Sequence, residues 1–292
     1  MYSPYGLSSV WPDDTGFRSI ATRGRLAYWT LNPVIAWKIN DQLSIAAGPT
    51  FNYAEVDLRQ GVLPFAGGSD VFRFDADAWD PGFNAGLLWK AHPKLQFGIS
   101  YRSETKMDFD GSTDLVTPLG SVTRPAQAAF PFPQNVVVGV SYRPTDDWNL
   151  EFNVDWTDWS RLQTVTISQN PIPGLPTDAP LVLNWESSFY YEFGITRYLP
   201  HGWSISGGYI FNENSVPDAN YTPLVADLDR HFLSIGTGHH GKHLDIDVAY
   251  QFGYGPGRNI SGSAVNPLSG QRADGEYEFL SHALMLTFGW RF

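Results

Sequence analysis

Cysteine is missing from the 292-residue sequence, so disulfide bonds and thiolate metal sites are excluded. No run of about 18 apolar residues exists either, which excludes a membrane-spanning helix. Residues Met1 to Pro4 carry no basic or strongly apolar segment, and we therefore expect no signal peptide within this chain. Positive charge is scarce as well, since the net charge is -11, and this argues against a nucleic-acid partner.

Aromatic residues are abundant, at 15% of the chain, and they take part in a pattern of period two. The stretch "WNLEFNVDWT" shows it over ten positions. One face of this stretch consists of Trp148, Leu150, Phe152, Val154 and Trp156, and the other of Asn149, Glu151, Asn153, Asp155 and Thr157. Strict alternation of this kind predicts a β-strand with one apolar and one polar face.

Two all-β architectures contain such strands: soluble sandwiches or small barrels, and outer-membrane barrels. Three features favour the second. The alternating segments are about ten residues long, enough to cross a bilayer at a tilt. Tryptophans lie near the ends of the apolar faces, as in the aromatic girdles at membrane interfaces. Short turns alternate with long connections, as periplasmic turns alternate with outer loops. The sequence therefore predicts an antiparallel transmembrane β-barrel of the outer-membrane type.

The predicted strands number about eleven, and they are separated by long stretches that we expect to be irregular loops. The strands cover residues 24–39, 43–57, 79–91, 95–104, 134–144, 148–158, 187–199, 203–212, 231–239, 243–254 and 279–292. The long loops cover residues 59–78, 104–132, 159–186, 213–229 and 255–277, with a short helix expected around Pro125 to Phe130.

An odd number of strands places the two ends of the barrel wall on opposite sides of the membrane. If the short turns are periplasmic, the first strand begins outside and the last strand ends in the periplasm. Bacterial single-chain barrels normally have an even number of strands and both termini in the periplasm. We therefore expect residues 1–292 to form a single, incomplete barrel domain that is the C-terminal part of a longer protein.

Several short segments of the sequence resemble motifs of the FadL-type family of outer-membrane transporters for long-chain fatty acids and other hydrophobic compounds. "SVPDANYTPLVADLDRHFLSIGTG" (Ser215 to Gly238) is similar to a family motif, as are "DWTDWSRL" and "LNPVIAWKINDQLSIAAG". The motif matches include Pro217, Asp218, Asp227, Asp229 and Arg230. We expect Asp227, Asp229 and Arg230 to form a structural ion-pair network at the junction between a loop and a strand.

This resemblance implies a fourteen-stranded barrel with an N-terminal hatch, of which the hatch and the first strands would be absent here. It also implies passive transport: a hydrophobic molecule is captured in a groove between two outer loops, moves to a pocket in the barrel, and leaves sideways through a gap in the wall beside a kinked strand. That strand, like the hatch, would belong to the absent N-terminal part. No cofactor, no ATP, no metal and no catalytic residue are implied.

The capture groove maps to the loops 59–78 and 104–132, which carry exposed apolar clusters. Candidate ligand-binding residues are Arg59, Val62, Leu63, Phe65, Phe72, Phe130 and Phe132. Arg59 lies near the place of a family residue that binds the ligand head group, although the alignment is offset by one position. The alternative interpretations are a lid of loops packed on each other and a solvated Arg59.

The expected location is the outer membrane of a Gram-negative bacterium. Expected partners are a hydrophobic small molecule, outer-membrane lipid and lipopolysaccharide, and the assembly machinery that reads a terminal strand ending in Phe292. We expect a monomer. Two other classes stay open: an outer-membrane enzyme of the lipase or protease type, for which no nucleophile motif accompanies Glu151 and Asp155, and a structural or adhesive barrel.

Overall fold

The computed structural model describes residues 1–62 and 70–291. Seventeen β-strands and three short 3-10 helices account for the regular structure of these residues. The strands are β1 (Gly6–Val10), β2 (Arg23–Leu31), β3 (Ile35–Lys38), β4 (Leu43–Gln60), β5 (Val71–His92), β6 (Leu95–Arg102), β7 (Thr105–Thr117), β8 (Gly120–Phe132), β9 (Asn135–Tyr142), β10 (Trp148–Thr157), β11 (Thr164–Gln169), β12 (Asp178–Val182), β13 (Ser188–Tyr198), β14 (Trp203–Asn212), β15 (Arg230–His240), β16 (Leu244–Ile260) and β17 (Gly275–Trp290). The 3-10 helices are Trp159–Arg161, Pro200–Gly202 and Asp218–Asn220.

An antiparallel wall follows the order of the chain. Strand pairing runs from β1 to β2, then through β4, β5, β6, β9, β10, β13, β14, β15 and β16 to β17. Strand β3 continues β2 along the same partner, β4. With β2 and β3 counted as one strand, the wall has eleven strands from β2 to β17, and this confirms the predicted all-β architecture.

The two faces of the wall differ as the alternation predicts. On β5 the outward side chains include Trp79, Phe83 and Trp89, of which Trp79 is 69% exposed. Inward neighbours such as Phe74 and Ala78 are buried. Because an apolar surface this extensive is unfavourable in water, the outward face is the lipid-facing one.

Stacked aromatic rings mark the two ends of the lipid-facing band. Trp29, Tyr53 and Trp79 form a row across β2, β4 and β5, with ring centroids 5.6 and 4.7 Å apart. At the opposite end of the wall, Trp89 stacks on Phe97 at 5.6 Å. We call the first group the upper girdle, because the long connections lie beyond it. None of the described residues belongs to a helix long and apolar enough to cross a membrane.

Above the upper girdle, two stretches that we expected to be irregular form β-hairpins, and this part of the prediction is wrong. Residues 105–132 form the hairpin β7–β8, in which Pro125 to Phe130 are extended rather than helical. Residues 164–182 form the hairpin β11–β12, which pairs with β8. The outer half of β5 makes this pairing possible, because Val71 to Asp77 pair with β7. The backbone N–H and C=O groups along this edge of β5 therefore have hydrogen-bond partners.

The first wall strand is interrupted between Leu31 and Ile35, where the sequence predicted one continuous strand. Pro33 lies in the interruption and cannot donate a hydrogen bond to β4. The Pro33 carbonyl turns toward Gly48 of β4 instead: a Cβ atom added to Gly48 would lie 2.0 Å from the Pro33 oxygen. The interruption therefore requires glycine at position 48.

Gly48→Ala is expected to destabilise the wall by about 1–3 kcal/mol, since the added methyl group overlaps the backbone of Pro33 and Val34 in the interruption. The measurement is urea unfolding in detergent micelles followed by tryptophan fluorescence. Gly98→Ala is the matched control, because a Cβ at that inward position would meet only the Leu87 oxygen, at 4.0 Å. Equal midpoints for the two variants would contradict the required close approach.

Candidate functional site

A cavity of about 490 Å³ lies on the inner side of the wall, at the level of the upper girdle and above it. Apolar side chains make up one side of it. They come from the wall (Leu26, Val56, Leu58, Phe74), from the hairpin β7–β8 (Phe109, Ala128, Phe130, Phe132), from the β11–β12 region and the residues after it (Val165, Ile167, Leu181, Leu183, Trp185), and from the N-terminal segment (Tyr5, Leu7). The two hairpins thus extend the wall outward as a curved apolar surface.

Polar side chains make up the other side, at similar heights on six neighbouring wall strands. In register, Arg102 of β6 lies opposite Asn135 of β9, and Asn135 lies opposite Thr157 of β10. The same row continues through Ser188 and Tyr190 of β13 and Asn212 of β14 to Arg230 of β15. We call this row, with Asp155 and Glu192 beside it, the polar belt.

Hydrogen bonds satisfy the carboxylates of this region. Asp155 accepts from Asn135 Nδ2 and Thr157 Oγ1, and Glu192 accepts from Asn153 Nδ2 at 3.2 Å. Glu213, which also lines the cavity, accepts from the Phe189 amide at 3.2 Å. The belt is thus a connected surface of donors and acceptors rather than a set of isolated charges.

The N-terminal segment lies against the cavity and contributes Tyr5 and Leu7 to its lining. The Tyr5 hydroxyl donates to the Pro133 carbonyl at 2.8 Å, and the Tyr5 ring packs edge-on against Tyr28. Farther along, the Ser9 hydroxyl donates to the Leu224 carbonyl at 3.0 Å and the Trp11 indole donates to the Pro223 carbonyl at 2.9 Å. These contacts join β1 to the loop before β15 across the barrel interior.

Of the predicted ligand-binding residues, Phe130 and Phe132 line the cavity, and their ring centroids are 4.9 Å apart. Phe72 lies at the outer end of β5 on the inward face, beyond the cavity lining. Leu63 and Phe65 lie outside the described residues, as does Phe292. Their roles stay predictions.

Val62 lies at the base of the first predicted capture loop, and its amide donates to Asp70 Oδ2 at 2.6 Å. Asp70 also pairs with Arg18 at 3.0 Å, and both side chains are almost fully buried. The Gly61 amide in turn donates to the Arg18 carbonyl at 2.8 Å. The N-terminal segment is therefore anchored to the base of this loop by a buried ion pair.

Arg59 faces away from the cavity. Alternation along β4 directs Val56 and Leu58 inward and places Asp57 and Arg59 on the outer face, where Arg59 forms a two-pronged ion pair with Asp57 at 2.9 and 2.7 Å. Arg73 of β5 binds the same carboxylate at 3.0 and 3.2 Å. This group lies above the upper girdle, outside the lipid-facing band.

Two opposing effects act on the pKa of Asp57. Burial of the carboxyl group disfavours its charged form, but the hydrogen bonds from Arg59 and Arg73 outweigh that effect and lower the pKa to about 2. The same hydrogen bonds raise the pKa of both guanidinium groups. The cluster is ionised at any physiological pH.

The residues of the family motif lie at the junction between the loop before β15 and the strand itself. Asp227 is 3.5 Å from Arg230, and it accepts from the Ser215 amide at 2.8 Å. Asp218 pairs with Arg258 of β16, and Asp229 accepts from the Asn214 amide at 2.9 Å. Pro217 precedes the 3-10 helix Asp218–Asn220. Only Asp227 and Arg230 of the five also line the cavity.

The β11–β12 side of the cavity and its N-terminal side were not predicted from the sequence. A signal was present, because Val165 and Ile167 alternate with Thr164 and Thr166, and Leu181 and Leu183 alternate with Val182 and Asn184. These runs are short and lie between proline-rich stretches, which favoured an irregular loop.

The arrangement can bind a molecule with an apolar part against the hairpins and a polar part against the belt. Within residues 1–62 and 70–291, no group of three or more His, Asp or Glu side chains is placed to hold a metal ion.

Comparison with known proteins gives consistent results. A sequence model of the family described as outer membrane protein transport protein (OMPP1/FadL/TodX) matches residues 1–292. The long-chain fatty acid transport protein of Escherichia coli K12 is 24% identical over 308 residues, covering 99% of this chain and 64% of that protein. Its Salmonella typhi counterpart is 24% identical over 322 residues, covering 99% and 71%. The chain thus spans about two thirds of the length of these relatives.

Solved structures establish the fold. A Pseudomonas aeruginosa FadL homologue superposes with a TM-score of 0.84 at 20% identity, covering 98% of this chain and 72% of that one. The Ralstonia pickettii toluene transporter TbuX superposes with a TM-score of 0.65 at 18% identity, covering 88% and 72%.

Asp57→Asn is expected to destabilise the protein by about 1–3 kcal/mol near neutral pH, because two arginines lose a shared charged acceptor. The contribution of the ionised Asp57 is fully present above its ordinary pKa of 3.8 and is lost as the pH falls through about 2. The difference in urea stability between wild type and variant should therefore be constant above about pH 5 and shrink below pH 4.

Asp41→Asn is the control for this prediction. Asp41 pairs with Lys38 at 2.6 Å, but its side chain is 96% exposed, and we expect a loss below about 1 kcal/mol. If Asp57→Asn matched this small loss, or if its loss did not depend on pH, the lowered pKa would be contradicted.

Proposed function

We infer the function from one premise: the chain belongs to the family of outer membrane transport proteins that includes OMPP1, FadL and TodX. The relatives named above are a fatty acid transport protein and a toluene transporter. We propose that this protein carries hydrophobic molecules across the outer membrane by passive transport.

The observation that carries the proposal is the cavity with its apolar side. It is of the size and character that small-molecule sites have in proteins, concave and mostly apolar with a few polar groups. Each methylene group transferred from water to such a surface contributes about 0.8 kcal/mol. Binding therefore needs no chemical energy source, and release into the apolar interior of a membrane costs little.

Capture at the outer side is the proposed first step. The hairpin β7–β8 supports it, because Phe109, Phe130 and Phe132 form an inward apolar track along strands that extend beyond the upper girdle. The track leads from the outer connections into the cavity. A hydrophobic molecule could thus leave water gradually, without crossing a polar surface.

Lateral exit through the wall is the proposed last step. One feature of the described wall supports it. The interruption between Leu31 and Ile35 removes regular pairing with β4 at a lipid-facing position, and Leu31 and Ile35 are both exposed on the outer face. An irregular segment is where a wall opens at least cost in hydrogen bonds.

Filling the cavity should weaken ligand binding. Ala128 lies in the apolar lining and is buried, so Ala128→Trp is expected to weaken binding of a fluorescent fatty acid and of 1-N-phenylnaphthylamine by at least about tenfold, or about 1.4 kcal/mol. Fluorescence titration of the purified chain in detergent micelles is the measurement.

Ala85→Trp is the matched control, because Ala85 is exposed on the lipid-facing side of β5. It should leave both affinities unchanged. Cells that carry the gene should also take up labelled oleate or labelled toluene, and the Ala128→Trp variant should not. Uptake of neither compound by wild-type cells would overturn the transport proposal.

A further inference from the structure

Arg102 is one of two inward-facing cations that line the cavity. It is the last residue of β6 and belongs to the polar belt. Its Nε atom is buried and has no hydrogen-bond partner, and its guanidinium lies 5.3 Å from the centroid of the Tyr2 ring. Among the described residues it forms no ion pair. A guanidinium group presents five N–H donors, and leaving them without acceptors in a partly buried site is unfavourable.

The other inward cation, Arg230, is occupied. It lies 3.5 Å from Asp227, donates to the Ala226 carbonyl at 3.1 Å, and stacks over the Phe279 ring at 4.8 Å. Arg25, although its residue borders the cavity, has its side chain on the exposed face of β2. The Arg230 Nε atom likewise has no hydrogen-bond partner, but the Arg230 guanidinium is paired with Asp227. Among the described residues that line the cavity, Arg102 is thus the inward cation that no carboxylate pairs with.

Charge decides which kind of acceptor fits. The inward lining contains the cations Arg102 and Arg230 and four carboxylates: Asp155, Glu192, Glu213 and Asp227. Three of these carboxylates accept only from neutral donors, as described above, so their negative charge is not cancelled. Asp155 in addition interacts electrostatically with Arg102. A ligand carboxylate beside Arg102 would add a fifth negative charge to this side of the cavity, and like charges in a site of reduced dielectric repel.

A neutral oxygen avoids that repulsion. The oxygen of an alcohol, ester or ketone accepts from a guanidinium group and brings no charge. We propose that Arg102 is the specificity-determining residue of the cavity, and that the preferred ligand is a neutral amphiphile with an apolar tail and a single oxygen-containing head. The tail lies along Phe109, Phe130 and Phe132, and the head accepts from Arg102.

This inference rests on the proposed function, since it names the class of molecule that the cavity takes. It accounts for two other observations. Arg59 faces outward and is bound to Asp57, so it does not supply a cation to the cavity. Leu181 adds to the apolar lining on the hairpin side. Neither residue therefore adds a cation to the cavity that would help to hold an anionic head.

Three ligands with an 18-carbon chain separate the possibilities: oleyl alcohol, oleate and 1-octadecene. Each is used to displace 1-N-phenylnaphthylamine from the full 292-residue chain in detergent micelles at pH 9, well above the ordinary pKa of a carboxyl group. We expect oleyl alcohol to bind about tenfold more tightly than octadecene, and more tightly than oleate.

Substitution of Arg102 then tests the residue. Arg102→Met keeps the length of the side chain and removes its donors, and it should bring the alcohol down to the affinity of octadecene while leaving octadecene unchanged. Arg102→Lys retains a donor and should keep part of the preference. Arg143→Met is the control, because Arg143 lies outside the cavity, where it stacks over Tyr198 at 5.4 Å. Unchanged binding of octadecene shows that each variant is folded.

Three results would overturn the inference. Tighter binding of oleate than of the alcohol, lost in Arg102→Met, would make the head group a carboxylate. Equal binding of all three ligands by wild type would show that no head group is recognised. A preference for the alcohol that survives in Arg102→Met would assign it to another residue. Displacement by none of the ligands would remove the proposed function as well, and this outcome differs from the other three.

Discussion

Satisfaction of backbone hydrogen bonds in a medium without water is the constraint on which the rest of this structure depends. It requires each wall strand to pair along its whole length, and β4 and β5 do so from Leu43–Trp89 to Gln60–Phe72 without a register shift. Continuous pairing imposes a period of two on the side chains, so one face must suit lipid and the other is released from that requirement. On the inner face, this permits the polar belt and the cavity. Above the upper girdle, where no lipid contacts the outer face, it also permits outward ion pairs.

The same constraint explains which parts of the fold could be predicted from the sequence. Within the lipid-facing band every second residue must be apolar, and the wall strands β9 and β10 follow this rule clearly enough to be located within a few residues. Above the upper girdle no such rule applies. Met107 and Phe109 of β7 face inward while Asp108 and Asp110 face water. This alternation is genuine, but glycine and proline nearby favoured a loop, and the long-range pairing with β5 that stabilises it cannot be read from local sequence.

The alternation of side chains between the two faces of β4 explains why Arg59, predicted to bind a ligand, faces away from the cavity. A shift of one position along a strand moves a side chain to the opposite face. Arg59 is offset by one position from the family residue that it resembles, and this offset places it on the opposite face of β4. Leu58 lines the cavity, whereas Arg59 lies outside it in an ion pair with Asp57. Phe130 and Phe132 are separated by two positions, so both face the same side, and both line the cavity. Two apolar residues predicted from the sequence thus lie in the cavity lining, whereas Arg102 was not among the predicted residues; that any of them binds a ligand stays a prediction.

Residues of the polar belt both line the cavity and hold neighbouring wall strands together. Asn135, Asp155 and Thr157 face the cavity, yet they also hydrogen-bond to each other across β9 and β10 and so hold the wall together. Changing any of them to suit a new ligand would leave a buried partner unsatisfied, at a cost of about 1–3 kcal/mol. Among the described residues, Arg102 forms no ion pair with a neighbouring strand, and its Nε atom has no hydrogen-bond partner. Its replacement changes the chemistry of the cavity without breaking a cross-strand ion pair. A wall built under a strict hydrogen-bonding constraint can therefore vary its ligand preference at this position more readily than at its belt neighbours.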